Sequence, residues 1–207
     1  MTTDQKLSSA REAPTTTLAN AIVDSWVTQS AVASAVTKAA LVMFGSLLLA
    51  FSAQFEIPLY PVPVTGQTLV VLLIGMTYGP RLGGCTMAAY LFEGAIGLPV
   101  FAGGAGGIAI LLGPTGGYLF GFLLAAVVMG LLAERGMGRS VTSTVIAMVI
   151  GNIVVYLAGG AWLANFIGFD KAFAMGVLPF LYGDALKIVI AAFLMPFAWS
   201  ALKASQK

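Results

Sequence analysis

From Gly94 to Ala133 the chain runs for 40 residues without a charged side chain, and Ala39 to Phe55 is a second uncharged run. Runs of this kind decide the solvent into which the chain folds. In a bilayer every backbone N–H and C=O must be satisfied inside the protein, so a spanning chain becomes helices or a closed barrel. Here the runs are long, rich in Ala, Leu, Val and Met, and not alternating, which favours helices. Only 9% of the 207 residues are charged, against about 25% in a soluble domain. An all-α, polytopic membrane protein is expected, and the length suits five or six spans of about 20 residues with short loops.

The charges and prolines punctuate six candidate spans. Ala39–Phe55 is the first. IPLYPVPV, residues 57–64, carries three prolines in eight positions, each without a backbone donor, and is expected to be an extended connector. Thr65–Gly79 is 15 residues long, about 22 Å as helix, short of the roughly 30 Å hydrocarbon layer. The connector is therefore expected to dip inward, which a bilayer tolerates where backbone lines a cavity. Pro80 to about Leu98 forms span three, Pro114–Ala133 span four, Val141 to about Phe166 span five, and about Pro179–Ala201 span six. Between spans three and four, residues 99–113 are glycine-rich and apolar, an irregular segment suited to close approach; a short helix is expected after Asp170 and Lys171. Residues 1–34 are expected to be a polar cytoplasmic tail and 35–203 the membrane domain. The tail lacks the basic, apolar, small-residue order of a cleavable signal.

Six spans place both termini on one side. Lys6, Arg11, Lys38, Arg81, Arg135, Arg139, Lys203 and Lys207 then share that side, against Lys171 and Lys187 on the other. By the positive-inside rule both termini are cytoplasmic. The basic residues are isolated, so no nucleic-acid partner is expected. With no histidine and a single cysteine, no metal or other cofactor is expected. G-x-x-x-x-G-K followed by Ser or Thr is absent, and so are the common hydrolase motifs, which argues against an ATPase or an enzyme.

The few polar groups inside the spans are the candidates for function. Asp184 and Lys187, at i and i+3, share a helix face near the outer boundary; they either pair with each other or meet a ligand with an anionic end. Glu93 interrupts the longest apolar stretch, either as a local clasp or as a ligand group. GGAGG, residues 103–107, is either a lid over a flat ligand or a flexible loop. Asn152 and Tyr156 share a face of span five; Asn152 suits an interhelical hydrogen bond, while Tyr156 and Trp162 suit interface anchoring. Ser46-x-x-x-Ala50 on span one suits close helix contact, internal or with another membrane subunit.

IPLYPVPVTGQTLVVLLIGMTYGPRLG, YLFEGAIGLPVFAGGAGG, LLGPTGGYLFGFLLAA and PFLYGDALK, in this order, resemble the BioY family, the biotin-specific substrate-binding subunits of energy-coupling-factor vitamin transporters. The resemblance covers about residues 36–203. It implies a six-helix bundle in a bacterial inner membrane that captures biotin from outside. A second transmembrane subunit and two cytoplasmic ATPases would drive uptake. Lys187 is then expected at the ligand carboxylate, Asp184 either at the ureido N–H groups or holding Lys187 in place, and Glu93 as a second ureido acceptor. Gln67, Tyr118, Asn152, Tyr156 and the glycines Gly104, Gly106 and Gly107 are expected around the ligand. Ser46 and Ala50, with Ala35 and Ala39 behind them, are expected to meet the coupling subunit. Another vitamin, or a carrier that works without ATPases, is the alternative. A cationic vitamin such as thiamine would suit Lys187 badly.

Overall fold

The fold was analysed in a computed structural model, which describes residues 17–19 and 31–205, the side chains of 203–205 excepted. The long helices are α1 (Ala31–Ala53), α2 (Gln67–Ala95), α4 (Gly116–Glu134), α5 (Val141–Ile167) and α7 (Leu178–Ser205), with short helices α3 (Ile108–Leu112) and α6 (Phe169–Gly176) between them. All five long helices have the length and composition to cross a membrane.

α2 folds back on itself. Gly79 takes φ +83°, a conformation that suits glycine, and Pro80 follows it. A continuous helix would hold Gln67 and Tyr90 about 35 Å apart, yet Gln67 Nε2 donates to Tyr90 Oη over 2.7 Å. Near the turn, a Cβ on Gly83 would lie 3.3 Å from Gly75 Cα, so the two arms run side by side. The break falls where the expected second span meets the third. α4 nestles against this hairpin: a side chain at Gly130 would overlap the backbone of Pro80, and one at Gly75 would overlap Ala126. α4 is thus the central helix, packed on α2 and α5, and α7 packs on α5 and α2. α1 packs on α2 and on a 3-10 turn, Ala102–Gly104. Met76, Met87, Met129, Met148 and Met195 fill the shared interior, where an unbranched thioether adapts to irregular gaps. The periphery stays oily, with Phe44, Leu47, Phe51, Phe193 and Phe197 exposed, as lipid contact requires.

Several boundaries depart from expectation. α1 begins by Ala31, so residues 31–34 belong to the first helix rather than to a tail, and Lys38 lies within it. Lys38 is exposed, and a long aliphatic stem lets its ammonium reach the interface. Thr17, Leu18 and Ala19 are buried, with Thr17 packed against the Gly79 turn, so this stretch is part of the packed body. The remainder of the expected tail, residues 1–16 and 20–30, lies outside the described residues. The proline-rich connector forms a small hairpin, β1 (Glu56–Ile57) antiparallel to β2 (Val64–Thr65), a minor exception to an all-α fold. Pro58, Pro61 and Pro63 between the strands have no N–H to extend the ladder. α5 starts where the Ser140 side chain accepts from the Ser143 N–H and Ser143 Oγ accepts from the Ser140 N–H, a capping box with serine in place of glutamate.

The two ends of the bundle differ. One carries the Gly79–Pro80 turn, the 135–140 turn and the tail of α7, with Arg139 stacked 4.8 Å from the Trp199 ring. The other carries the hairpin, the 102–112 segment and α6, and it holds the site.

Candidate functional site

Three helices bring polar groups together below that second end. Thr68, in the first turn of α2, donates from Oγ1 to Asp184 Oδ1 of α7 over 2.7 Å. Tyr156 of α5 donates its hydroxyl to the other oxygen, Asp184 Oδ2. Lys187, one turn on in α7, donates to Asp184 Oδ1 at 2.7 Å, to Thr68 Oγ1 at 2.6 Å and to the Thr65 carbonyl at 2.7 Å. An ammonium has three protons, and all three are engaged. Asp184 is 2% exposed, and a carboxylate at that depth is sustained by three donors around it.

Beside this network lies a cavity of about 160 Å³, open at one side. Its walls are apolar and aromatic: Phe101, Tyr118, Phe122 and Phe180, with Tyr118 and Phe180 stacked at 5.6 Å between centroids. Thr65, Gln67, Thr68 and Thr115 supply the polar wall. Gln67 is held on both sides, accepting from Thr65 Oγ1 at 3.1 Å and donating to Tyr90 Oη, which in turn donates to the Val100 carbonyl at 2.9 Å. Val62 and Pro63 of the hairpin and Phe101, Ala102 and Ala105 of the glycine-rich segment cover the cavity. The connector therefore lines a cavity, as expected from the shortness of the span that follows it.

The expected site residues separate into three groups. Gln67 and Tyr118 line the cavity, although the Tyr118 hydroxyl donates to the Gly176 carbonyl at 2.7 Å. Asp184, Lys187 and Tyr156 stand one layer behind the wall, reached through Thr68. Glu93, Asn152, Gly104, Gly106 and Gly107 are not among the lining residues. Glu93 turns toward α1 and accepts from Ser46 Oγ. Asn152 is buried and donates to the Met148 carbonyl of its own helix at 3.1 Å, not across helices. Gly106 lets the segment lie against the Leu98 carbonyl, where a side chain would overlap it, and Gly107 takes φ +97°. Those two glycines shape the cover, and its contact surface is made by their neighbours. Trp162 donates to the Gly113 carbonyl at 2.9 Å and pins the start of α4.

The small-residue strip on α1 is also divided. Ser46 is fully buried and faces Glu93, so it is unavailable to another subunit, and Ala50 is partly covered. Ala35 and Ala39 on the same face are exposed. Sequence reasoning missed Thr68, Phe101, Phe122 and Phe180. The only signal for Thr68 was its place beside Gln67 at the mouth of a span too short to cross alone.

Among the described residues no three metal-ligating side chains come together. What the site offers is shape, aromatic surface and a few fixed polar groups.

Comparison with known proteins agrees on the class. The model of the BioY family matches residues 22–204. The chain is 46% identical over 144 residues to the probable biotin transporter BioY of Pyrococcus horikoshii, spanning 70% of this chain and 85% of the relative. It is 42% identical over 147 residues to the biotin transporter BioY of Thermotoga maritima, again 70% and 85%. A crystal structure of the S-component for biotin from an ECF-type ABC transporter superposes with a TM-score of 0.67 at 25% identity, covering 97% of this chain and 95% of the other. With a membrane bundle, a cavity under a proline-rich hairpin and a family model that spans most of its length, this chain belongs to the BioY family.

Proposed function

We propose that this protein captures biotin from outside the cell and is the substrate-binding subunit of an energy-coupling-factor transporter. The observation that carries the reading is the cavity itself, an apolar, aromatic space with one polar wall backed by Asp184 and Lys187. Biotin has a flat, largely apolar bicyclic ring, a polar ureido edge and an anionic tail. The aromatic walls suit its ring, and the polar wall suits a ligand with few but well-placed hydrogen-bonding groups. Asp184, Lys187 and Tyr156 serve biotin by organising that wall.

The six helical segments, counting the two arms of α2, cross a bacterial inner membrane six times with both termini in the cytoplasm. Arg81, Arg135 and Arg139 cluster at the end away from the cavity, which the positive-inside rule places in the cytoplasm. The cavity then faces outward. The sequence holds no phosphate-binding loop, and energy for release comes from a transmembrane coupling subunit with two ATPases. The exposed Ala35 and Ala39 on α1 are the part of the small-residue strip open to such a partner.

Biotin binding to the purified protein in detergent tests the reading, with thiamine as the competitor. Saturable biotin binding that excess thiamine leaves intact is expected. A protein that binds no biotin, or binds thiamine equally well, overturns it.

A further inference from the structure

A second cavity, of about 540 Å³, lies between α1 and α7 with the first arm of α2 as its floor. Leu41 and Phe44 wall it from α1, Leu73 and Ile74 from α2, and Ala198 and Leu202 from α7. α1 rests on α2, and α7 rests on α5 and α2, so neither helix fills the space between them. Leu18 and Ala19 close it near the Gly79 turn. We infer that this groove holds one acyl chain of an anionic phospholipid, drawn from the leaflet on the arginine-rich side. The inference stands apart from the biotin reading and requires only that the bundle sits in a bilayer.

The lining decides the occupant. Its residues offer too few polar partners to order water, and an apolar space of this kind stays dry. Left empty, its side chains would lose dispersion contacts on one side. Phe44 and Leu48, 57% and 38% exposed, also line it, so it opens onto lipid. A helix is a poor fit. Where helices of this bundle approach closely they do so over glycine, at Gly45, Gly75 and Gly130, and membrane helices generally meet over small residues. No glycine lines the groove; branched and aromatic side chains make its surface, and a thin, flexible hydrocarbon chain can follow them. From Val70 to Tyr78 the floor runs about 12 Å, enough for part of one tail.

Polarity and charge set the direction of the lipid. The polar side chains of the lining, Thr77 and Tyr78, both lie beside the Gly79 turn. Thr77 Oγ1 donates to the Leu73 carbonyl at 2.7 Å, whereas the Tyr78 hydroxyl makes no hydrogen bond to another described residue and remains a donor for a headgroup. Two exposed cations flank the same end: Lys38, three residues before Leu41, and Arg81, three residues after Tyr78 across the turn. A tail in the groove with its phosphate at this end brings a negative charge to two positive ones. No water is displaced from the groove in a bilayer, so retention rests on packing and on the headgroup rather than on the hydrophobic effect.

The test uses the purified full chain in detergent, delipidated and then titrated with phosphatidylglycerol or with phosphatidylcholine of the same tails. Native mass spectrometry counts bound lipid, and tryptophan fluorescence follows unfolding. One phosphatidylglycerol per chain is expected, with a saturable rise in unfolding temperature, at a concentration at least about tenfold below that needed for phosphatidylcholine. Lys38→Gln is expected to narrow that preference about fivefold, a change that a merely structural role would not produce. Ala198→Phe fills the groove from α7 and is expected to abolish the bound lipid, whereas Leu124→Phe, exposed on α4 away from the groove, leaves it in place. Should Ala198→Phe fail to fold, Leu202→Trp takes its place with the same expected loss. A wild-type chain that retains no phospholipid overturns the inference, as does an Ala198→Phe or Leu202→Trp chain that binds it as wild type does. Equal response to the two headgroups overturns the assignment to an anionic lipid. A wild-type dimer that becomes a monomer on filling the groove overturns it in favour of a second copy of this chain. Biotin binding by the wild type is measured alongside, and its presence or absence bears on the biotin reading alone.

Discussion

The Lys187 ammonium lies 2.7 Å from the main-chain carbonyl of Thr65, so the last helix is tied to the end of the proline-rich hairpin. The same nitrogen holds Asp184 and Thr68. One side chain thus joins α7, α2 and the cover of the cavity, and its removal has consequences for binding and for folding.

Lys187→Ala leaves Asp184, a nearly inaccessible carboxylate, without its countercharge. Breaking such a pair from one side costs about 3 to 5 kcal/mol when it is fully buried. Lys187 keeps some solvent contact, its side chain being 14% exposed, so the lower end applies. Biotin affinity should fall by at least about tenfold, measured by calorimetry on the purified protein, together with a lowered unfolding temperature.

Removing both charges should be gentler than removing one. Asp184→Ala alone strands Lys187 and leaves the Thr68 and Tyr156 hydroxyls without their acceptor. In Asp184→Ala with Lys187→Ala, a positive coupling of about 1 to 3 kcal/mol is expected in thermal or denaturant unfolding. Additive losses would mean that the two groups do not stabilise one another.

Ser46→Ala tests the assignment of Glu93 to α1. It removes the hydroxyl that Glu93 accepts from and should cost about 1 to 3 kcal/mol of stability. Biotin affinity should stay within about twofold of wild type. A tenfold loss of affinity would return Glu93 to the ligand.

Gly130→Val should abolish accumulation of folded protein in the membrane. No side chain fits between α4 and the Gly79–Pro80 turn, because even a Cβ at Gly130 would overlap Pro80 backbone. Overpacking against backbone costs about 1 to 3 kcal/mol or more. Gly104→Ala, with no atom within 4 Å of the new Cβ but φ +69°, should be the milder of the two, through backbone strain alone. The yield of monodisperse protein after extraction measures both.

The medium, the helices and their breaks were legible in the residue order. Uncharged runs dictated helices in a bilayer, the Gly79–Pro80 pair marked the fold-back, and a short second span with three prolines before it pointed to a cavity. Asp184 and Lys187 stood out because charge at membrane depth is costly. Their partners did not stand out. Helical spacing tells which residues share a face; it does not tell which residue of another helix that face meets. Glu93 was expected to accept from the ligand and Gln67 only to lie near it, whereas packing turned Glu93 toward Ser46 and Gln67 into the cavity. Likewise the glycines around residue 105 marked a close approach, and only the fold showed that Phe101, Ala102 and Ala105 make it. Local sequence determines where a backbone can satisfy its own hydrogen bonds. A side chain in an apolar interior must find its partner across helices, and that pairing exists only once the helices have packed.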